Sequence, residues 1–224
     1  PLSPNRAPTG LVEIENTHNM AGGAVMPAEV LDEICDGAHE LGLKVHLDGA
    51  RIFHAATYLG IDVKDLCAKA DTVMFCLSKG LCAPAGSMLV GAKEDIARAR
   101  LYRKRLGGGM RQAGVLAAPG LIALEVMSKR LEEDHANARF LAAELNRTPG
   151  VRVTHQVQTN IVIFDVTGTG LAPAEFSRRL KERGVLINAI DERQLRLLTH
   201  HDAGRAACER ALAVLQEVAR TGAA

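Results

Sequence analysis

TVMFCLSKGLCAPAGSMLVGA, residues 72–92, reads as an apolar strand, a short loop and a second apolar strand. The loop GLCAPAG is too short for the crossover that parallel neighbours need, so the two strands are expected to pair antiparallel. The first is expected to be buried on both faces, yet it ends at Lys79, fenced by Ser78 and Gly80. Lysine is almost never fully buried without a partner. An amine at the end of such a strand, among small neighbours, can attack a carbonyl carbon.

Upstream, LVEIE (11–15) reads as a core strand, PAEVLDEICDGAHELG as an amphipathic helix with Pro27 in its first turn, and KVHLDGA as a strand ending near Asp48. ARIFHAATYLG and DVKDLCAKA follow as helices. Strands alternating with helices imply an α/β fold with a mixed, mostly parallel sheet. In open sheets of this kind ligands gather at the carboxyl ends of the strands, which is where Asp48, Arg51 and Lys79 fall. The bland alternative is that Asp48 and Arg51 pair with each other and Lys79 reaches solvent.

Downstream, the chain from KEDIARARLYRKR to AAELNRT is helical in pattern, broken at GGG (107–109) and at a PG pair. AGVLAAPGLIALEVM, interrupted by Pro119 and Gly120, reads as a buried helix pair rather than a bilayer span. The remainder reads strand, strand, helix, strand, strand, helix: VRVTHQV, NIVIFDV, PAEFSRRLKERG, VLINAI, LRLLTH and GRAACERALAVLQEVART. A boundary near Pro149 and Gly150 divides a large domain, 1–148, from a small α+β domain, 149–224.

The composition is that of an ordinary soluble globular protein: 224 residues, 47 % hydrophobic, 24 % charged, net charge +1. RARLYRKRLGGGMR is basic throughout, but a near-neutral chain with 3 % aromatics offers no stacking platform for nucleic acid. A solvated helix face with a phosphate-binding end accounts for it better. Five cysteines without a CxxC pair suit reduced thiols in a cytoplasmic protein, and no disulfide is expected. His46, Asp48 and His54, or His200, His201 and Asp202, are the alternative of a metal site. HxD is a weak signal, and no metal is expected.

ENTHNMAGG, HLDGARIFHAA, CLSKGLCAPAGS, RKRLGGGMRQAG and LRLLTHHD, in this order, resemble the low-specificity L-threonine aldolases, pyridoxal-phosphate-dependent enzymes of fold type I. The resemblance runs from about residue 10 to the end. It implies that Lys79 holds the cofactor covalently, that Asp48 faces its pyridine nitrogen, and that Arg51 lies near the ring and the substrate carboxylate. Arg196 matches the second carboxylate-binding arginine. Lys104 and Arg111 match basic residues of a loop that reaches an active site at a dimer interface, Arg111 near the cofactor phosphate. His18 and Ser78 stand near the site, without an assigned step. The family commonly has glycine where this chain has Cys82, and a packed, inert thiol is expected there.

The implied reaction is cleavage of L-threonine or L-allo-threonine to glycine and acetaldehyde by a homodimer or homotetramer. The family's chain is longer at its amino end, so residues 1–224 are expected to lack the phosphate cradle and half of the large sheet. Two alternatives stay open: a noncatalytic remnant, and another pyridoxal-phosphate lyase or racemase of the same fold.

Overall fold

The computed structural model describes residues 7–222. It separates into two compact units, one running up to Thr17 and from Met26 to Lys129, the other comprising His18–Val25 and the chain from Arg130 onward.

The first unit is built on a four-stranded sheet of β1 (Leu11–Glu15), β2 (Lys44–Asp48), β3 (Thr72–Cys76) and β4 (Ser87–Gly91), in that spatial order. β1, β2 and β3 run parallel, and β4 pairs antiparallel with β3, Thr72 opposite Gly91 and Cys76 opposite Ser87. The short loop therefore acts as the sequence implies. Helix α1 (Ala28–Glu40) buries Leu31, Cys35 and Ala38, the spacing of one helical face, and Pro27 stands at its N-cap. Helix α2 (Ile52–Leu59) buries Ile52, His54, Ala55 and Ala56, and a single helical turn, α3 (Val63–Leu66), leads to β3.

Three expectations need correction. LVEIE is an outer strand, pairing only with β2 among the described residues and burying Ile14 alone. β3 buries only Val73, and β4 leaves Met88, Leu89 and Val90 each more than 40 % exposed. The apolar run after GGG is one helix, not a buried pair. Helix α4 (Lys93–Arg105) is followed by α5 (Gly114–Glu125), which continues through Pro119. Proline removes one backbone donor there, and the other turns hold the axis. Both helices are largely exposed: α4 buries no residue, and α5 only Gly120 and Ala123.

The second unit packs α6 (Leu131–Leu145), α7 (Pro173–Glu182) and α8 (Arg205–Gly222) on an antiparallel sheet. Its strands are β5 (Arg152–Val153), β6 (Ile161–Asp165), β7 (Asn188–Ala189) and β8 (Gln194–Leu198), in the order β5-β6-β8-β7. VRVTHQV and VLINAI thus contribute only two-residue strands. The core joins Ala138, Leu141 and Leu145 of α6 to Val162 and Phe164 of β6, Phe176 and Leu180 of α7, Leu195 of β8, and Leu215 and Val218 of α8. Because α6 belongs to this core, the units divide after Lys129 rather than near Pro149 and Gly150.

His135 on α6 is fully buried, and burial pushes its imidazole down to about 4. The unfolded chain, with an ordinary histidine near 6.5, takes up the proton first as pH falls. Stability of this unit is therefore whole above about pH 6.5 and declines between 6.5 and about 4, by about 3 kcal/mol in total. Denaturant midpoints measured across that window, compared with those of His135→Gln, should show the pH slope in the parent and its reduction in the variant.

Candidate active site

The lysine hairpin is held from below. Beyond the ladder of β3 and β4, Leu77 N–H donates to Gly86 O and Ala83 N–H to Leu77 O, both at 3.0 Å, and Cys82 N–H closes a turn on Lys79 O at 2.9 Å. Leu77, Leu81 and Ala83 are buried, whereas Ser78 and Lys79 are exposed. The apolar residues anchor the loop and leave the lysine outside it. Phe53 of α2 meets Phe75 of β3 edge to face, ring centres 5.5 Å apart, which locks that helix over the strand carrying the loop.

Cys82 is exposed rather than packed, and it takes the left-handed backbone region (φ 61°) that glycine adopts without cost. Its thiol donates to Gly80 O at 3.3 Å. None of the five cysteines is in a disulfide.

Gly80 is required by a close approach. A Cβ there would stand 2.3 Å from Nε2 of His54, a side chain only 2 % exposed on α2. Gly80→Ala is expected to cost about 1–3 kcal/mol through overpacking. Combining it with His54→Ala should restore most of that loss, read as the melting temperatures of the two single variants and the double. Equal and additive losses would sever the link between the two residues.

Asp48 is the last residue of β2, opposite Met74 of β3, and its backbone carbonyl accepts Asn16 N–H at 3.0 Å. Its Oδ1 accepts Ala50 N–H at 3.0 Å, a turn that sets the carboxyl group at the carboxyl end of the sheet. Gly49 N–H donates to Met74 O at 2.8 Å, and a Cβ on Gly49 would lie 2.8 Å from that same oxygen. The chain can cross the neighbouring strand this closely only as glycine. It then turns so that Arg51, half-buried, stands at the N-cap of α2. Asp48, Arg51, Ser78 and Lys79 are thus gathered at one end of the first unit's sheet, at the ends of adjacent parallel strands.

Lys104 and Arg111 are exposed, Lys104 in the last turn of α4 and Arg111 in the loop that follows. α4 lies along β4 across a groove of about 330 Å³ lined by Met74, Ser87, Met88, Ile96, Arg100 and Arg103 among others. Its 13 residues span roughly 20 Å, close to the length of β4, so the helix carries Lys104 back toward the end of the sheet where β4 begins. No hydrogen bond or ion pair joins Lys104 or Arg111 to Lys79 or Asp48 among the described residues.

Arg196 and His18 belong to the second unit. Arg196 stands in β8, opposite Ile163 on one side and Asn188 on the other. Its Nη1 donates to Asn19 Oδ1 at 2.9 Å, while its Nε is buried with no hydrogen-bond partner among the described residues. His18 is exposed, and its Nδ1 accepts Ala21 N–H at 3.0 Å, which leaves Nε2 to carry the proton of the neutral ring. The residue not singled out from the sequence is Asn19, which reads as a turn former; His54, named there only as a candidate metal ligand, instead packs against Gly80. Among the described residues no three His, Cys, Asp or Glu side chains converge as metal ligands do.

Comparison with known proteins identifies the family of the chain. The beta-eliminating lyase family matches residues 3–168. Low-specificity L-threonine aldolase 1 of Arabidopsis thaliana is 39 % identical over 222 residues, covering 95 % of this chain and 62 % of the plant protein. The low specificity L-threonine aldolase of Escherichia coli K12 is 44 % identical over 199 residues, 89 % of this chain and 57 % of its own. The threonine aldolase of Leishmania major shares the fold, with a TM-score of 0.77 at 20 % identity, over 97 % of this chain and 64 % of that structure. This chain therefore spans about three fifths of the length of the curated relatives it matches. A family model that covers about three quarters of the chain, together with relatives 39 and 44 % identical over most of its length, shows that the chain belongs to the beta-eliminating lyase family.

Proposed function

We propose that the whole protein to which this chain corresponds is a pyridoxal-phosphate-dependent carbon–carbon lyase. Its reaction is the cleavage of L-threonine or L-allo-threonine to glycine and acetaldehyde. The observation that carries this reading is that Asp48 ends β2 and the exposed Lys79 lies in the loop just beyond the carboxyl end of β3, its parallel neighbour.

The residues suit the cofactor chemically. Bound there, pyridoxal phosphate supplies an electron sink in conjugation with the substrate amine. Lys79 would hold its aldehyde carbon, and Asp48 would accept a hydrogen bond from its ring N–H and keep that nitrogen protonated. Arg51 would stand beside the ring, and Arg111 and Lys104 would supply positive charge for the phosphate. Arg196 brings the planar donor fork that an α-carboxylate takes by two parallel hydrogen bonds, and the unpartnered Nε–H is one of those donors. Holding the carboxylate would restrict the orientations open to the bound amino acid. His18 and Ser78 remain near-site residues without an assigned proton transfer.

The active form is proposed to be a homo-oligomer. Leu101 and Tyr102 of α4, Leu106 just after it, and Val115, Leu121 and Ile122 of α5, are each more than half exposed. Six large apolar side chains left in water along two successive helices support a covered face. No helix of the described residues is long and apolar enough to cross a membrane.

The test is to mix the purified protein with pyridoxal phosphate, follow the visible absorbance of the lysine-bound cofactor, and assay acetaldehyde and glycine from L-threonine. Borohydride reduction followed by peptide mass analysis should place the label on Lys79. Absorbance without product would favour the noncatalytic alternative. Absence of both sinks the reading.

A further inference from the structure

Arg196 is tethered at one end only. Its Nη1 is fixed by Asn19 Oδ1 at 2.9 Å, and its Nε is buried and unpaired among the described residues. A long, flexible arginine side chain otherwise spreads over many rotamers, and fixing it costs conformational freedom that a ligand would have to supply at binding. A buried guanidinium N–H without an acceptor is unfavourable, and it is tolerable where a ligand completes it.

The tether is itself held to the same unit as the arginine. The loop His18–Val25 follows β1 in sequence but belongs to the second unit. It folds back on itself through the His18–Ala24 bridge, with Gly23 N–H donating to His18 O at 2.9 Å and Gly22 N–H to Asn19 O at 3.2 Å. Two contacts fasten it to the segment before β6: Thr159 Oγ1 donates to Gly23 O at 2.9 Å, and Val25 N–H to Gln158 Oε1 at 2.8 Å. Asn19 and Arg196 therefore belong to one compact unit, although 177 positions separate them in the chain.

We infer that Asn19 is a positioning residue for the carboxylate-binding arginine: its amide oxygen holds Nη1, and so presents the Nε edge of Arg196 to the α-carboxylate of the amino acid. This rests on the proposed function. The side-chain chemistry is specific. A neutral amide oxygen orients the guanidinium and leaves its charge for the ligand. An aspartate at 19 would neutralise Arg196 and compete with the substrate, whereas alanine would release Nη1 and let the side chain swing.

The experiment has two arms. In the holoenzyme, Asn19→Ala is expected to raise KM for L-threonine roughly tenfold, the worth of one charged hydrogen bond, with kcat changed about twofold or less. Asn19→Asp should raise KM further, and Asn19→Gln, which keeps an amide, should recover part of the loss. In the cofactor-free protein, nitrogen-15 NMR of the arginine side chains should show slow rotation about Nε–Cζ for Arg196 and a shift of its Nε–H on titration with acetate. Asn19→Ala should speed that rotation and weaken the acetate response. Unchanged KM and unchanged rotation in Asn19→Ala would overturn the inference, as would a fall in kcat with KM constant. A parent that neither binds pyridoxal phosphate nor cleaves threonine would overturn the proposed function, and the NMR arm would then decide the role of Asn19 alone.

Discussion

Lys79→Ala is expected to abolish the covalent hold on pyridoxal phosphate and to lower threonine cleavage by about a thousandfold or more. Lys79 is the amine at the exposed tip of the β3–β4 loop, and no second lysine lies on the loop. A positioned acid–base side chain contributes on the order of 10²–10⁴ in rate, and losing the amine that would form the covalent link costs at least as much. The variant should fold as the parent does. The side chain is solvent-exposed, and the loop is fixed by Leu77, Leu81, Ala83 and the backbone bonds beneath it. Circular dichroism should therefore superimpose while the visible absorbance and the acetaldehyde disappear together. Retention of either with the fold intact would remove Lys79 from the chemistry.

Phe164→Ala is expected to destabilise the second unit by about 3–5 kcal/mol. Phe164 is fully buried in β6, where all five residues are buried, and it packs in the core shared by three helices and the sheet. Removing the ring costs both its transfer from water and the void left among neighbours that cannot close over it. That is a large fraction of the stability an ordinary domain possesses. The midpoint of chemical unfolding, monitored by circular dichroism, should fall markedly at an unchanged lysine-loop geometry in the first unit. A shift equivalent to less than about 1 kcal/mol would mean that the surrounding side chains collapse into the space.

Local pattern was enough to place most elements of this chain. TVMFC and SMLVG pair antiparallel because the ten residues between them, 77–86, are too few for a crossover, and that conclusion needs no knowledge of the rest of the molecule. The same holds for α1, whose apolar residues recur at helical spacing, and for Asp48, which ends β2 as the pattern implies, whereas β3 ends at Cys76 and Lys79 lies in the loop beyond it. Burial was less legible. An apolar strand such as SMLVG reads as interior, but whether anything lies on it depends on neighbours that sequence periodicity does not name. AGVLAAPGLIALEVM failed for a related reason. Proline and glycine signal a break, and the surrounding helical bonds kept α5 continuous.

The division of the chain was misread at Pro149 and Gly150 because a turn signal marks a bend and not the side on which a helix packs. α6 precedes that turn, yet its apolar face meets Phe164 and Phe176. Nor does any local pattern reveal that the loop His18–Val25 leaves the unit of the strand before it to join Arg196.

By itself, then, the sequence determined the types of element, the antiparallel lysine hairpin and the identity of the groups that end the strands. These follow from residue periodicity, loop length and side-chain chemistry, which are properties of short stretches. Tertiary structure alone decided which glycine must face His54, where the two units part, and that Asn19 holds Arg196. Those are contacts between residues far apart in the chain, set by packing and by the obligation of buried polar groups to find partners.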